Sequence, residues 1–289
     1  MSKQEKHNER MGDRDPLDLF KGASVKWDRS KEDVWASLEK QLEEKAPARI
    51  IGINRRRRIY AAAALIILLL GIPSIMRFYS RTLSTPAGEH TGVSLPDGSL
   101  ISLNAESTVK YNPLWWYFKR ELRLEGEAFF EVEPGSNFEV ISEYASTAVV
   151  GTSFNILSRD ERYEVTCVTG KVKVKSYVSD TEILLSPDQR ALLGSGGKLV
   201  KEEINKTANT ISWIDKQFYF TAVPLEQVFE EVERQFNIDI RLKISEGLTY
   251  TGNFSLENDP ESALRIICKP FGIKFEALSE RVYLVSEDE

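Results

Sequence analysis

The sequence is poor in the residues that build metal centres and disulfide scaffolds. It has two cysteines, Cys167 and Cys268, and two histidines, His7 and His90. Two thiols cannot make a disulfide framework or a four-thiolate zinc site. His7 lies in a polar tail far from His90, which argues against a histidine-centred metal or hydrolase site, and no cofactor or metal is expected. A basic excess is also missing. The 38 Lys and Arg stand against 44 Asp and Glu, a net charge of −6 that speaks against direct binding of nucleic acid. What remains, 42% hydrophobic and 28% charged over 289 residues, is a folded chain with room for about two domains.

One apolar run stands out. From Ile59 to Met76 the chain carries no charge. At about 1.5 Å per residue a helix over that run is about 27 Å long, near the roughly 30 Å of a bilayer core. It is apolar on every face and opens on four arginines, so it reads as a single transmembrane helix rather than a core helix. A signal peptide is the weaker alternative, because its charged region would have to be far longer than usual. Tyr60 and Tyr79 fall where interfacial aromatics belong, and Arg77 can snorkel outward.

Lys45, Arg49, Arg55, Arg56, Arg57 and Arg58 precede the run, and only Arg77 and Arg81 follow it closely. The positive-inside rule therefore places the N-terminal side in the cytoplasm and the larger C-terminal part outside. The Arg55–Arg58 run is read as a topology signal, not as a nucleic-acid patch. Gly71 and Pro73 within the span are tolerated where neighbours re-satisfy the backbone. The sharper alternative is a locally weak helix that an intramembrane protease could open.

The cytoplasmic segment, residues 1–58, begins with a polar stretch over 1–16 that is expected to be disordered. Ser30 and Asp33 form the acidic variant of a capping box. The helix they open carries Val34, Trp35, Leu38 and Leu42 along one stripe, with Trp27 ahead of it. The stripe is too small to make a core of its own. It suits a segment that folds onto a cytoplasmic partner, which makes Trp27, Val34, Trp35, Leu38 and Leu42 the candidate binding residues. A helix lying on the bilayer or in a homo-oligomer is the plainer alternative.

After a linker at 77–84, residues 85–205 alternate with period two. Val93 and Leu95 lead through Pro96-Asp97-Gly98 to Ile101 and Leu103, a hairpin with turn chemistry. Further pairs follow at Leu122/Leu124, Phe138/Val140, Val165/Cys167 and Val172/Val174. An all-β domain is expected, either a sandwich or a solenoid-like stack, with Cys167 buried as a small hydrophobe. Asp97, Glu127 and Glu131 are read as solvated strand and turn positions rather than acid/base catalysts.

Residues 206–289 repeat a β-α-β grammar. A strand at Gln217–Thr221, a helix from Pro224 to Phe236 and a strand at Asp239–Leu242 come first. A strand near Tyr250–Phe254, a helix opened by Asp259-Pro260, and strands Ile273–Ala277 and Val282–Val285 follow. A small α+β domain results.

Several blocks here carry a family resemblance. Leu95-Pro96-Asp97-Gly98-Ser99, Leu103-Asn104, Gly126-Glu127-Ala128-Phe129-Phe130-Glu131-Val132, Phe138-Glu139-Val140 and Val150-Gly151-Thr152-Ser153-Phe154-Asn155 resemble, in order and spacing, the periplasmic domain of the FecR family. Phe220 to Leu225, Phe236-Asn237-Ile238, Tyr250 to Phe254 and Val282 to Val285 are similar to the short N-terminal domain of secretins and TonB-dependent transporters, in the form that ends Bacteroidetes FecR-like proteins.

The resemblance implies a single-pass inner-membrane anti-sigma factor. Its partners would be a cytoplasmic extracytoplasmic-function sigma factor and the signalling domain of an outer-membrane TonB-dependent transporter, with periplasmic and intramembrane proteases in the relay. It also implies that Gly151-Thr152 can be a self-cleavage site, the Thr hydroxyl attacking the preceding carbonyl; the plainer reading is a bulge glycine before a strand residue. No turnover enzyme is expected. The alternative function is a membrane-anchored periplasmic scaffold or binding module without sigma-factor regulation.

Overall fold

A computed structural model describes residues 22, 28–43, 54–205, 207–257 and 259–287. Trp27 and the 1–16 stretch lie outside them. The chain divides into two compact units, residues 1–63 and 64–289.

In the first unit, α1 (Lys31–Glu43) begins where Ser30 and Asp33 exchange hydrogen bonds. The Asp33 amide donates to Ser30 Oγ at 3.1 Å, and the Ser30 amide donates to the Asp33 carboxylate at 3.3 Å. This is the expected capping box, with both otherwise orphaned amides satisfied.

Helix α2 (Arg55–Phe78) starts in this unit and ends in the second. Its 24 residues give about 36 Å, and it is long and apolar enough to cross a membrane. None of its residues is buried. It takes in the four arginines and continues through Pro73, where Ser74 Oγ donates to the Leu70 carbonyl.

In the second unit thirteen strands form one folded sheet: β1 (Arg81–Thr85), β2 (Thr91–Ser94), β3 (Leu100–Leu103), β4 (Ser107–Tyr111), β5 (Arg120–Glu131), β6 (Phe138–Ile141), β7 (Ala145–Val149), β8 (Ser153–Arg159), β9 (Arg162–Cys167), β10 (Val172–Ser176), β11 (Glu182–Leu185), β12 (Gln189–Leu193) and β13 (Leu199–Glu203). The segment expected as a linker is largely regular, because β1 pairs antiparallel with β4 and extends the sheet by one strand.

The long strand β5 organises the sheet. Its first half pairs with β4 and β6, and its second half with β3 and β8. One layer then runs on through β7, β10 and β11, the other through β9, β12 and β13. All pairings are antiparallel except β5 with β6, so this is a folded sheet of sandwich type rather than a parallel solenoid.

Between the layers Phe130 stacks on Phe154 at 4.9 Å and meets Phe138 edge-on at 6.3 Å, with Cys167, Ile101 and Leu122 alongside. The change of partners falls at Gly126, whose φ is +101°. A Cβ there would stand 2.7 Å from Ser107 Cα, so the close crossing of β5 over Ser107 requires glycine.

The C-terminal part contains α3 (Thr207–Ile211), β14 (Gln217–Pro224), α4 (Leu225–Phe236), β15 (Asp239–Lys243), β16 (Thr249–Ser255), α5 (Pro260–Cys268), β17 (Lys274–Ser279) and β18 (Val282–Ser286). The two β-α-β units interleave. β14 pairs with β16, while β15 runs parallel to β18 and β17 closes that sheet. Asp259 caps α5 by accepting from the Ser262 amide, and Asn237 ends α4 in the left-handed conformation. Leu225, Val228 and Val232 of α4 and Leu264, Ile267 and Cys268 of α5 line the second core.

Candidate functional site

On α1 the predicted stripe is present and, among the described residues, uncovered. Val34 is half-buried, whereas Trp35, Leu38 and Leu42 are 67%, 44% and 62% exposed. A single three-turn helix cannot cover two adjacent turns of its own apolar face, so the stripe remains open to a partner surface.

The Pro96-Asp97-Gly98 turn is a structural knot. The Gly98 amide donates to the Leu95 carbonyl at 3.0 Å and the Leu95 amide to the Ser99 carbonyl at 2.9 Å. Asp97 accepts from the Ser99 amide and hydroxyl, and Arg120 Nε donates to it at 2.6 Å. The remaining guanidinium nitrogens reach the Ser136 and Glu133 carbonyls, and the guanidinium lies over the Phe138 ring at 5.3 Å. Burial pushes the Asp97 carboxyl up. The Ser99 and Arg120 hydrogen bonds outweigh it and hold the group below its ordinary value. Asp97 is therefore not a solvated turn residue, a correction to the reading from sequence: the Arg120 guanidinium, 7% exposed, covers it.

Glu127 corrects the same reading more strongly. Its carboxylate accepts from Asn104 Nδ2 at 2.7 Å and Asn155 Nδ2 at 2.8 Å. Burial, with Glu231 nearby, pushes it up to about 7 against the opposing pull of Arg159, Asn155 and Asn104. The outer members of this network belong to the C-terminal part. Gln235 of α4 donates to Asn104 Oδ1 at 2.7 Å, and its Oε1 meets His90 Nε2 at 2.9 Å. The Trp213 indole donates to Asn155 Oδ1 at 3.3 Å, and its ring meets His90 edge-on at 5.4 Å. Glu131, by contrast, is exposed.

Adjacent motif residues serve opposite sides of one strand. Phe130 enters the core between the layers, while Phe129 packs into the second core with Trp213 and Phe229. Phe129, Glu127, Asn155 and Gln235 thus join the β-rich and C-terminal parts. The sequence marks Phe129 and Glu127 as motif residues but gives no sign of the partners that Arg120, Asn104 and Gln235 find from far along the chain.

Gly151 and Thr152 lie between β7 and β8. A Cβ on Gly151 would stand 2.9 Å from Pro134 Cα, so close packing alone accounts for this glycine. Thr152 is buried; its hydroxyl donates to the Lys171 carbonyl at 3.1 Å, and its carbonyl accepts from the Val132 amide. Cys167 is fully buried, and burial pushes its thiol up to about 11. Among the described residues no group of three or more His, Cys, Asp or Glu side chains is placed to hold a metal.

Two family models match the chain: "FecR protein" over residues 81–173 and "FecR, C-terminal" over residues 217–285. Two crystal structures of a proposed anti-sigma factor from Parabacteroides distasonis, at 2.50 and 1.65 Å, share its fold. Each is 26% identical with a TM-score of 0.67; they cover 73% and 72% of this chain, and all of their own chains is matched. No curated protein matches. The first match begins at β1 and ends in β10, so it takes in the Asp97 knot, Glu127 and the Gly151-Thr152 peptide.

Proposed function

We propose, for a chain that belongs to the FecR family of anti-sigma factors, that α2 spans the inner membrane once and that α1 holds an extracytoplasmic-function sigma factor in the cytoplasm. The observation that carries this reading is the open stripe of Trp35, Leu38 and Leu42 on a capped helix with no core of its own. A segment that completes its fold only on a partner is also released when its tether is cut.

The periplasmic part receives the signal. In this reading, the signalling domain of a ligand-loaded outer-membrane TonB-dependent transporter docks on residues 85–289. The hydrogen bonds from Gln235 to Asn104 and from Trp213 to Asn155 of β8, with Phe129 of β5 packed into the second core, favour transmission of that contact as one body. Proteolysis, with Gly71 and Pro73 as the weak turn of the span, frees the sigma factor. Self-cleavage at Gly151-Thr152 would require the Thr152 hydroxyl to leave the Lys171 carbonyl and turn on the Gly151 carbonyl.

The test is co-purification of the chain with the sigma factors of its source, beside a Trp35→Ala, Leu38→Ala double variant. Stoichiometric capture of one sigma factor, lost in the variant, is expected. Capture of none by intact protein would leave a membrane-anchored scaffold as the better account.

A further inference from the structure

The loop between β4 and β5, residues 112–119, is fastened to the end of α2. Asn112 Nδ2 donates to the Met76 and Arg77 carbonyls at 2.7 and 3.0 Å, satisfying two acceptors that a helix C-terminus leaves free. Asn112 Oδ1 accepts from the Leu114 and Trp115 amides at 3.0 and 2.9 Å, so one side chain fixes both the helix end and the loop. The Arg77 guanidinium lies 5.8 Å from the Trp115 ring centroid, and Trp115 packs on Phe118 at 4.6 Å. From inside, Trp116 is 1% exposed and wedged edge-on between Tyr111 and Phe138, which anchors the loop to the core of the sheet.

The outer face of this loop is apolar where a loop in water is polar. Leu114, Tyr117 and Phe118 are 45%, 83% and 73% exposed, next to Phe78 at 84%. Lys119 is exposed beside them. Amphipathic aromatics bordered by cations are what the headgroup level of a bilayer selects. Height is fixed independently of composition, because Asn112 and Trp115 hold the loop against residues 76 and 77, where the apolar span ends.

We infer that Leu114, Tyr117 and Phe118 form a second membrane contact, an aromatic foot inserted into the lipid interface next to the exit of α2. The occupant of this patch is the bilayer itself. Two attachments, helix and foot, hold the β-rich part at a fixed tilt on the membrane instead of letting it swing on Tyr79 and Ser80. The inference rests on α2 spanning the membrane.

The test uses the full chain in nanodiscs of phosphatidylcholine and phosphatidylglycerol, with a nitroxide attached in turn to Phe118→Cys, Leu68→Cys and Ile266→Cys. Paramagnetic relaxation by oxygen, which prefers lipid, is compared with relaxation by a water-soluble nickel chelate. The expected result is a several-fold higher oxygen-to-nickel ratio at 118 than at 266, with the ratio at 68 highest. A lipid value at 68 with a water value at 118 overturns the foot and leaves the span standing. A water value at 68 overturns the span and the foot with it. Exclusion of both reagents at 118 with dipolar broadening between labels identifies a second copy as the occupant, and also overturns the foot.

Discussion

At the residue scale, two carboxylates respond to pH in opposite directions. Asp97 is held below its ordinary value, so its contribution to stability is complete above that value and is lost as pH falls through the depressed one. Replacing it leaves the Arg120 guanidinium buried without its anion. Asp97→Ala is expected to cost about 3 kcal/mol, measured by denaturant unfolding in detergent. Glu127 is raised from 4.5 to about 7, so the folded state binds its proton more tightly than the unfolded state does. Its contribution is complete below about 4.5 and is lost as pH rises toward about 7. Glu127→Gln is expected to flatten the fall in stability over that window, read as unfolding midpoints across a pH series. An unchanged slope would mean that another group carries it.

At the element scale, the sequence is most readable where a signal is local. Ser30 and Asp33 are three residues apart and form the cap their spacing implies, and Asp259, read as the opening of its helix, caps it. The Pro96-Asp97-Gly98 turn and the α4 and α5 stripes are equally local. Arg120 is twenty-three residues from Asp97, and Gln235 is 131 from Asn104; a one-dimensional pattern carries no trace of such meetings. That distance is why Asp97 and Glu127 read as solvated and are not. Strand existence was legible from alternation, whereas the division of β5 between two layers was not, because pairing partners are chosen by the whole sheet. A local prediction follows for α1. Ser30→Ala removes a cap worth about 1 kcal/mol; under the function proposed above, where a partner must hold this helix, sigma-factor affinity is expected to fall about fivefold by titration. Under the same proposal Trp35→Ala, which removes the largest side chain of the stripe, is expected to cost more.

At the scale of the whole molecule, the β-rich part and the C-terminal part meet across a mixed seam. Phe129 is its buried apolar anchor, with Val168 beside it; Asn104, Asn155, His90, Gln235 and Trp213 bond at its centre, and Arg234 with Glu106 and Asp160, and Arg162 with Gln227, at its rim. The protein in detergent is therefore expected to unfold residues 81–286 in one transition. Phe129→Ala, at a cost of about 3–5 kcal/mol, should separate it into two, seen by calorimetry. Two transitions already present in the unsubstituted protein would show that the parts are thermodynamically independent.

The alternation along β5 has a further consequence, for how the gene can change. Phe129 and Phe130 feed different cores only because a strand turns each successive side chain to the opposite face. Inserting or deleting one codon between Gly126 and Phe129 would invert that parity. Phe129 would then face the layer interior and Phe130 the C-terminal part. A substitution in this strand alters one side chain's contacts; a change of length shifts every contact beyond it. Genuine relatives should therefore hold the spacing between this glycine and the phenylalanine pair constant, and vary in length at exposed turns away from the C-terminal part.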